Sequence, residues 1–419
     1  MRSRRNSTTV LRAVAIGVAV IASIAIADRR YGDSLHSWRL SIEYRVGTNF
    51  VDTGQFANAF SDESGPTGWV APIPTVLLGV VCKAMNHDEK RISFFVLLLN
   101  AFCLFLGAFF VANGDRVGFS VPVVIILLTA FGFERLLRYQ PEILCVPAIS
   151  LCFFSAGESS CRLLRLSKRK LLVAKYLSQS LAILISPIVG LALTVHSAVG
   201  FGRAHGRFVK TAFALTCVLS LGLVILCSVR NWWVVGLPGF VKTNGWYELY
   251  QSQVLDDDGV LDAITLDQHP ISVNSRAHLD YCSVGEAEFI RQSRSRCIEA
   301  ILRSPLEYLN RVVYRLASLV LGSFVFCGQL RHADVFRLMV FGAVHGTIAF
   351  HLVVHPNRKP SFDHAVFLIA LLAAPYVLVS FYERYRIIFF PPVYVAFRLS
   401  IEALAGCWWR RGPAINPGM

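Results

Sequence analysis

The sequence is dominated by long apolar runs that short clusters of basic residues separate. These runs cover residues 10–27, 92–113, 117–133, 143–155, 171–186, 187–201 and 211–228, and four more follow residue 311. A helix needs about 20 mainly apolar residues to cross a bilayer. Charged residues make up only 16% of the 419 residues, too few to coat a water-soluble body. The pattern predicts an all-α polytopic membrane protein with roughly ten to twelve transmembrane helices.

The positive charges indicate how the chain crosses the membrane. Lys and Arg number 41 against 27 Asp and Glu, and they gather at residues 2–5, 162–170 and 203–210. Cytoplasmic loops are rich in Lys and Arg, so these clusters indicate topology rather than nucleic-acid binding. The second and third clusters are both cytoplasmic only if the proline-broken run at residues 69–85 does not span. We therefore predict a re-entrant or interfacial helix there.

The first apolar run, residues 10–27, can be read in two ways. It follows several arginines and ends in Ala25-Ile26-Ala27, which is typical of a signal-peptidase site. A retained membrane anchor has the same composition. We expect retention, which places the basic N-terminus in the cytoplasm and Asp28 on the outer side.

Polarity divides the chain into three segments. Residues 1–229 are expected to form an N-terminal transmembrane module with a first external loop at residues 28–91. Residues 230–311 are the one long polar stretch, and we expect an extracytoplasmic loop that covers a membrane-embedded site. Residues 312–419 are expected to form the C-terminal transmembrane module.

The candidates for chemistry are polar residues at the predicted outer boundary of the membrane. Asp33 follows the first helix and is either a helix cap or solvated carboxylate, or a general base at the mouth of an apolar cavity. Trp69 lies in a Gly- and Pro-rich turn and is either an interfacial anchor or a wall of that cavity. Arg230 opens the long polar stretch, and Asn244-Gly245 predicts a turn within it.

Two arginines precede the last apolar run, in Glu383-Arg384-Tyr385-Arg386. Arg384 and Arg386 either set the topology of that run or hold a phosphate group. The chain has no Walker A, GxGxxG, GxSxG or HExxH motif. The absence of a nucleotide-binding motif favours an activated substrate that arrives through the membrane.

In their order, these motifs resemble the GT-C superfamily of polytopic glycosyltransferases, in particular bacterial relatives of the protein O-mannosyltransferases and lipid A aminoarabinose transferases. The matching segments are Asp33 with Gly47-Thr48-Asn49-Phe50, Pro66-Thr67-Gly68-Trp69, Arg230-Asn231, Thr243-Asn244-Gly245, Gly285-Glu286-Ala287-Glu288-Phe289 and Glu383-Arg384-Tyr385-Arg386. The similarity extends over most of the chain.

The resemblance implies a sugar donor linked to polyprenyl phosphate and an extracytoplasmic acceptor, which is a glycan, a lipid or a protein. It places the site at the outer face of the cytoplasmic (inner) membrane. Asp33 is implied as the catalytic base and Glu142 as a second acidic residue of the site. Trp69, Arg230, Asn244, Arg384 and Arg386 are the substrate-binding candidates. A single base opposite a phosphate leaving group predicts inversion, and a divalent metal is compatible with this chemistry.

Two other classes of function stay open at this point. A transporter is expected to carry ionisable residues near the bilayer midplane, whereas most charges here lie at the ends of apolar runs. A non-catalytic homologue of the superfamily is the second alternative. It is raised by Gly32-Asp33-Ser34, where the family usually has two adjacent acidic residues, and by Ala71-Pro72-Ile73-Pro74.

Overall fold

The computed structural model describes residues 41–112, 139–154, 167–203, 207–256, 259–261, 268–322, 332–356 and 358–410, together with Gly17. Asp33 and residues 117–133 lie outside these ranges, as does the first apolar run apart from Gly17. Within the described ranges the chain forms thirteen α-helices and no β-strand, so the fold class is all-α as predicted.

The helices follow one another with short connections. They are α1 (Ile42–Thr53), α2 (Pro72–Ala84), α3 (Glu89–Ala112), α4 (Val146–Leu151), α5 (Lys168–Leu181), α6 (Pro187–Arg203), α7 (Arg207–Val235), α8 (Gly245–Tyr250), α9 (Arg276–Arg303), α10 (Pro305–Leu321), α11 (His332–Val354), α12 (Pro360–Leu378) and α13 (Phe390–Arg410). Three 3₁₀ segments, Pro141–Cys145, Ala182–Leu184 and Glu383–Phe389, and a π-helical turn, Gln251–Leu255, extend this set.

Local sequence explains where several helices begin. The side chains of Ser41, Ser167 and Ser275 accept hydrogen bonds from backbone N–H groups three residues further on, so they cap α1, α5 and α9. Proline opens α2, α10 and α12, where its missing N–H costs nothing because the first turn of a helix leaves that donor unpaired.

In the part of the chain that the structure describes, five helical segments are long and apolar enough to cross a membrane. They are Glu89–Val111, Val209–Val235, Asp334–Val354, Pro360–Leu378 and Glu383–Ala405. The apolar runs at residues 143–155, 171–186 and 187–201 form the shorter helices α4, α5 and α6. The protein is therefore an all-α polytopic membrane protein, while the number of ten to twelve spans includes undescribed runs and stays a prediction.

Helix α7 shows where one membrane interface lies. It starts in the basic cluster at residues 203–210 and ends with Trp232 and Trp233, which are 62% and 86% exposed. Tryptophan concentrates at the boundary between lipid and water. Arg230 and Asn231 precede this pair directly, so they lie at the same interface.

Helix α2 does not have the length of a membrane span. Its 13 residues extend about 20 Å, well short of the 30 Å of a hydrocarbon core. It packs along α1, and the two helices cross where Gly47 meets Gly79. A Cβ atom at Gly79 would overlap the backbone of Gly47. A short helix packed in this way agrees with the prediction that residues 69–85 do not span.

The buried side chains form two main cores. The larger one lies among the apolar helices α3, α4, α6, α11, α12 and α13. The smaller one joins α1 and the following residues 54–71 to two segments that are distant in sequence, α8 and α9. We call these four segments the polar module. Its core contains Val46, Phe60, Trp69, Tyr247 and Phe289.

Arg315 of α10 connects the polar stretch to the end of α12. Its buried guanidinium donates to Val377 O at 2.6 Å and to Ser252 Oγ at 3.3 Å. Ser252 Oγ in turn donates to Val379 O at 2.5 Å. A cation at the last carbonyls of a helix opposes the negative end of the helix dipole. These contacts fix the point where α12 ends and the Glu383–Phe389 segment begins.

The crossing of α1 and α2 can be tested with Gly79→Ala. The added methyl group has no space against the Gly47 backbone, so we expect a loss of about 1–3 kcal/mol in unfolding free energy. Thermal unfolding of the purified protein in detergent measures it. Gly222→Ala is the matched control, because nothing lies within 4 Å of a Cβ atom there. Equal midpoints for the two variants would contradict the close crossing.

Candidate functional site

The Glu286 carboxylate is the centre of a buried hydrogen-bond network in the polar module. Oε2 accepts from Thr67 Oγ1 at 2.6 Å and from the Tyr281 hydroxyl at 2.8 Å. Oε1 accepts from Thr243 Oγ1 at 2.5 Å and from the Gly68 backbone N–H at 2.9 Å. Glu286 is only 4% exposed, and these four bonds offset the cost of burying its charge.

Local backbone geometry brings Glu286 into this position. Gly285 adopts a positive φ of 77° inside α9 and kinks the helix there. A residue with a side chain rarely adopts this conformation, so glycine is required at the kink. The Glu286 carboxylate bonds to the turn at Thr67 and Gly68. Glu286 lies 218 residues after Gly68 in the sequence.

Arg230 and Asn231 hold the same turn from the end of α7. Arg230 Nη1 donates to Thr67 O at 2.6 Å and to Asn231 Oδ1 at 2.9 Å. Asn231 Nδ2 donates to Val241 O at 3.2 Å, and the Thr243 N–H donates to Gly68 O at 3.0 Å. The guanidinium also lies 5.4 Å from the centre of the Phe56 ring. In this structure Arg230 positions the turn.

Trp69 lies in the core of the polar module rather than on a cavity wall. It is 2% exposed, and its ring centre lies 5.0 Å from that of Phe60, 5.3 Å from Tyr247 and 5.7 Å from Tyr281. Edge-to-face aromatic pairs at these distances add stability beyond their buried area. The sequence prediction that Trp69 contacts substrate stays a prediction, and its observed role is packing.

Asn244 and Arg386 are also engaged with protein atoms. Asn244 is 5% exposed and donates from Nδ2 to Glu248 Oε1 at 3.1 Å. Arg386 is fully buried, pairs with Glu383 at 2.8 Å and donates to the Ser318 carbonyl. Its guanidinium lies over the Phe341 ring. Arg386 thus joins two elements of the fold, whereas the Asn244 side chain bonds within the first turn of α8.

Arg384 differs from the other candidates because its side chain is accessible. The guanidinium lies 4.9 Å from the centre of the Tyr382 ring and 5.1 Å from that of Tyr385. Nη2 donates to the Tyr385 hydroxyl at 3.2 Å. Among the described residues Arg384 forms no ion pair with a carboxylate. A cation held between two tyrosines is oriented for an anionic ligand.

Glu142 lies near this cation. Its 3₁₀ segment, Pro141–Cys145, packs against the Glu383–Phe389 segment, and the Glu142 charge interacts with that of Arg384. Glu142 Oε2 is buried and accepts no hydrogen bond within the described part of the chain. A buried carboxylate oxygen without a donor is costly, so it marks a position prepared for a proton donor or a cation.

His269 packs within the aromatic core of the polar module. Its ring packs 5.9 Å from Trp69 and 5.5 Å from Tyr247, and Nδ1 accepts the Ile271 N–H at 3.0 Å. Burial, with smaller contributions from the charges of Arg384 and Lys242, lowers the pKa of His269 to about 3. The imidazole is therefore neutral at physiological pH.

The structure separates the candidates into two groups. Arg230 and Trp69 lie around the Glu286 network together with Thr243, the neighbour of Asn244. Arg384 and Glu142 lie together at the junction of two 3₁₀ segments. Asp33 is outside the described residues. Glu286 belongs to the Gly285-Glu286 motif, but the sequence predicts no role for it, since its only signal is an acidic residue directly after a glycine.

These features define a class: a polytopic helical membrane protein with an arginine accessible beside a buried carboxylate. Neither a protein-family model nor a curated protein sequence matches the chain. A search of solved structures finds similarity to ArnT from Cupriavidus metallidurans bound to undecaprenyl phosphate. The identity is 13%, the match covers 92% of this chain and 77% of that one, and the TM-score is 0.35. A TM-score this low does not establish a shared arrangement of helices.

The Glu286 network can be tested with Glu286→Gln. The variant removes the charge and replaces one acceptor oxygen by an NH₂ donor that faces two of the four donors, so we expect a loss of about 3 kcal/mol in unfolding free energy. The thermal midpoint in detergent measures it. Glu288→Gln is the control, because Glu288 is an exposed partner of Arg291 and an exposed ion pair contributes little to stability. A Glu286→Gln variant as stable as this control would remove Glu286 from its central role.

The neutral state of His269 predicts a pH dependence of stability. An unfolded histidine gains a proton below pH 6.5, whereas folded His269 stays neutral until about pH 3. Its stabilising contribution is therefore full above pH 6.5 and is lost as the pH falls, by about 2 kcal/mol at pH 5. We expect His269→Gln to reduce the difference between the unfolding midpoints at pH 7 and pH 5. An unchanged difference would show that other groups cause the acid sensitivity.

Proposed function

We propose that the protein is an integral-membrane glycosyltransferase of the GT-C superfamily. It transfers a hexosyl or pentosyl group from a polyprenyl-phosphate donor to an extracytoplasmic acceptor, in the cytoplasmic membrane. The observation that carries this proposal is the accessible guanidinium of Arg384, directly before the apolar helix α13. A lipid-linked phosphate has its charge at the same boundary between apolar and polar surroundings.

Arg384 is the phosphate ligand in this proposal, and Arg386 is not. Arg386 is fully buried and ion-paired with Glu383, whereas Arg384 is exposed and held by two tyrosine rings. Only the exposed arginine can form new charge-assisted hydrogen bonds without leaving another charge buried. Arg230 supports the site indirectly, because its hydrogen bonds fix the Thr67 turn.

The proposed reaction is a displacement at the anomeric carbon of the donor sugar. The bond from that carbon to the phosphate oxygen breaks, and the acceptor oxygen forms the new bond on the opposite face, which inverts the configuration. Arg384 stabilises the negative charge that grows on the leaving phosphate. Asp33 takes the proton of the acceptor hydroxyl. Among the described residues no three side chains that could hold a metal ion cluster. A divalent metal remains compatible with these steps.

Glu142 has a positioning role in this proposal. Its charge lies near Arg384, and its buried oxygen has no hydrogen-bond donor among the described residues. An arginine beside a fixed carboxylate is held in place while its outer N–H groups stay available for phosphate. The carboxylate also disfavours the binding of phosphate deeper in the core, because like charges repel there.

The test is turnover of a panel of synthetic polyprenyl-phosphate sugars by the purified protein, followed by the release of polyprenyl phosphate. We expect at least one donor to react, Asp33→Asn to lose about 10²–10⁴-fold in rate, and Arg384→Gln about 10²–10³-fold. Arg291→Gln is the control, because Arg291 is an exposed arginine paired with Glu288.

Two outcomes would contradict the proposal. If no donor in the panel releases polyprenyl phosphate, while folding is intact by its unfolding midpoint, the protein is a non-catalytic homologue. If the donors react and Arg384→Gln is as active as Arg291→Gln, the phosphate is bound elsewhere.

A further inference from the structure

The polar module contains a cleft that none of the roles above uses. It has a volume of about 550 Å³, within the range of small-molecule sites, and it lies between α1, residues 58–62 and the start of α9. The residues that line it and matter here are Tyr44, Asn49, Asn58, Phe60, Asp62 and His278. It is separate from the Glu286 network and from Arg384.

The lining contains polar side chains that can form hydrogen bonds with a ligand. Amide groups come from Asn49 and Asn58. Asn58 Nδ2 donates to Asn49 Oδ1 at a long 3.4 Å, and Asn58 Oδ1 accepts no hydrogen bond from any described residue. Asn49 Nδ2 donates to Gln55 O at 2.8 Å, so the amides offer a ligand mainly their Oδ1 acceptors, to which a hydroxyl group can donate.

The charges of the lining disfavour an anionic ligand. Two carboxylates, those of Asp52 and Asp62, line it beside the single guanidinium of Arg45, whose Nη1 donates to Phe60 O at 2.6 Å. Asp52 forms an ion pair with Lys83 at 2.8 Å, while Asp62 is exposed to the cleft and has no ion pair among the described residues. An anion would meet the Asp62 carboxylate, whereas an uncharged polyhydroxylated ligand can donate to it.

Asn58 stands in a conformation that a non-glycine residue adopts only under constraint. Its φ is +64°, and its backbone N–H donates to Gly65 O at 2.9 Å. Asparagine tolerates this left-handed region better than most residues do, yet it still costs free energy. Strained residues of this kind concentrate at ligand-binding positions, and here the strain places an amide group in the cleft.

We infer that this cleft binds the carbohydrate part of the acceptor: an uncharged oligosaccharide whose hydroxyl groups bond to Asn49, Asn58 and Asp62. The inference deepens the proposed glycosyltransferase function and rests on it, because a bound carbohydrate is an acceptor only if the protein transfers a sugar to it. Binding itself does not require turnover. The division of charge fits the reaction, since cationic Arg384 receives the phosphate of the donor and the acidic cleft receives neutral hydroxyl groups.

Cys282 provides a direct readout of the cleft. Its exposed thiol lies 3.5 Å from Ser61 Oγ and 3.7 Å from His278 Nε2, and both of those residues line the cleft. A bound oligosaccharide is therefore expected to shield it from a maleimide reagent. Mass spectrometry of the peptide that contains Cys282 identifies the modified site, and Cys282→Ser gives the background.

The probes are neutral oligosaccharides of two to four hexose or N-acetylhexosamine units, with sulfated oligosaccharides of equal length as the anionic comparison. No donor is present. We expect at least one neutral probe to slow the labelling of Cys282, and the sulfated probes to be at least about tenfold weaker. In Asn58→Gly the concentration for half protection should rise about tenfold, because one pair of hydrogen bonds is lost.

Asn58→Gly is the suitable variant because glycine adopts φ +64° without strain, so the backbone is retained while the amide is removed. Its unfolding midpoint and its labelling rate without sugar should match those of the unmodified protein. Asn58→Asp keeps the acceptor oxygen and should retain more protection than Asn58→Gly.

Three results would overturn the inference: no protection by any neutral probe, stronger protection by sulfated probes, or equal protection in Asn58→Gly. This labelling test and the turnover assay can fail independently of each other. Protection without turnover leaves a carbohydrate-binding cleft in a protein that is not the proposed enzyme. Turnover without protection leaves the enzyme and places its acceptor elsewhere.

Discussion

The buried carboxylate of Glu286 is the interaction on which the polar part of the structure depends. One side chain accepts hydrogen bonds from Thr67, Gly68, Thr243 and Tyr281, and so connects the turn before α2, the loop after α7 and the kinked helix α9. A charge in this environment is stable only while its donors stay in place. The network therefore favours one arrangement of segments that short-range contacts alone would leave loosely defined.

The aromatic core and the arginines reinforce that arrangement from two sides. Trp69 and His269 pack below the turn, and Arg230 binds its carbonyl group from the interfacial end of α7. At the other end, Arg315 ties the π-helical turn to the last carbonyl groups of α12. As a result Arg384 follows a helix end whose position is fixed. A phosphate-binding residue requires such a fixed position, because the placement of its N–H groups decides which anion it can bind.

Several features could be read from the sequence. The apolar runs predicted spanning helices, and the charge clusters predicted that residues 69–85 would not span, in agreement with the 13-residue helix α2. The motifs around Thr67, Arg230, Thr243 and Glu286 were recognised as separate matches, yet their mutual contacts were not foreseen. The burial of Trp69 and the ion pair of Arg386 with Glu383 were not foreseen, because composition does not tell a buried aromatic or a buried ion pair from an exposed one. Their predicted contact with substrate stays a prediction.

The apolar runs alone make the chain helical and embedded in a membrane, because lipid cannot satisfy backbone hydrogen bonds and long apolar runs must satisfy them within a helix. The sequence also supplied the polar residues from which a site could be built. Which of these residues stabilise the fold and which remain accessible depends on how distant segments pack together. That outcome depends on contacts between residues up to about two hundred positions apart, such as Thr67 with Glu286, and on burial, which no local pattern encodes.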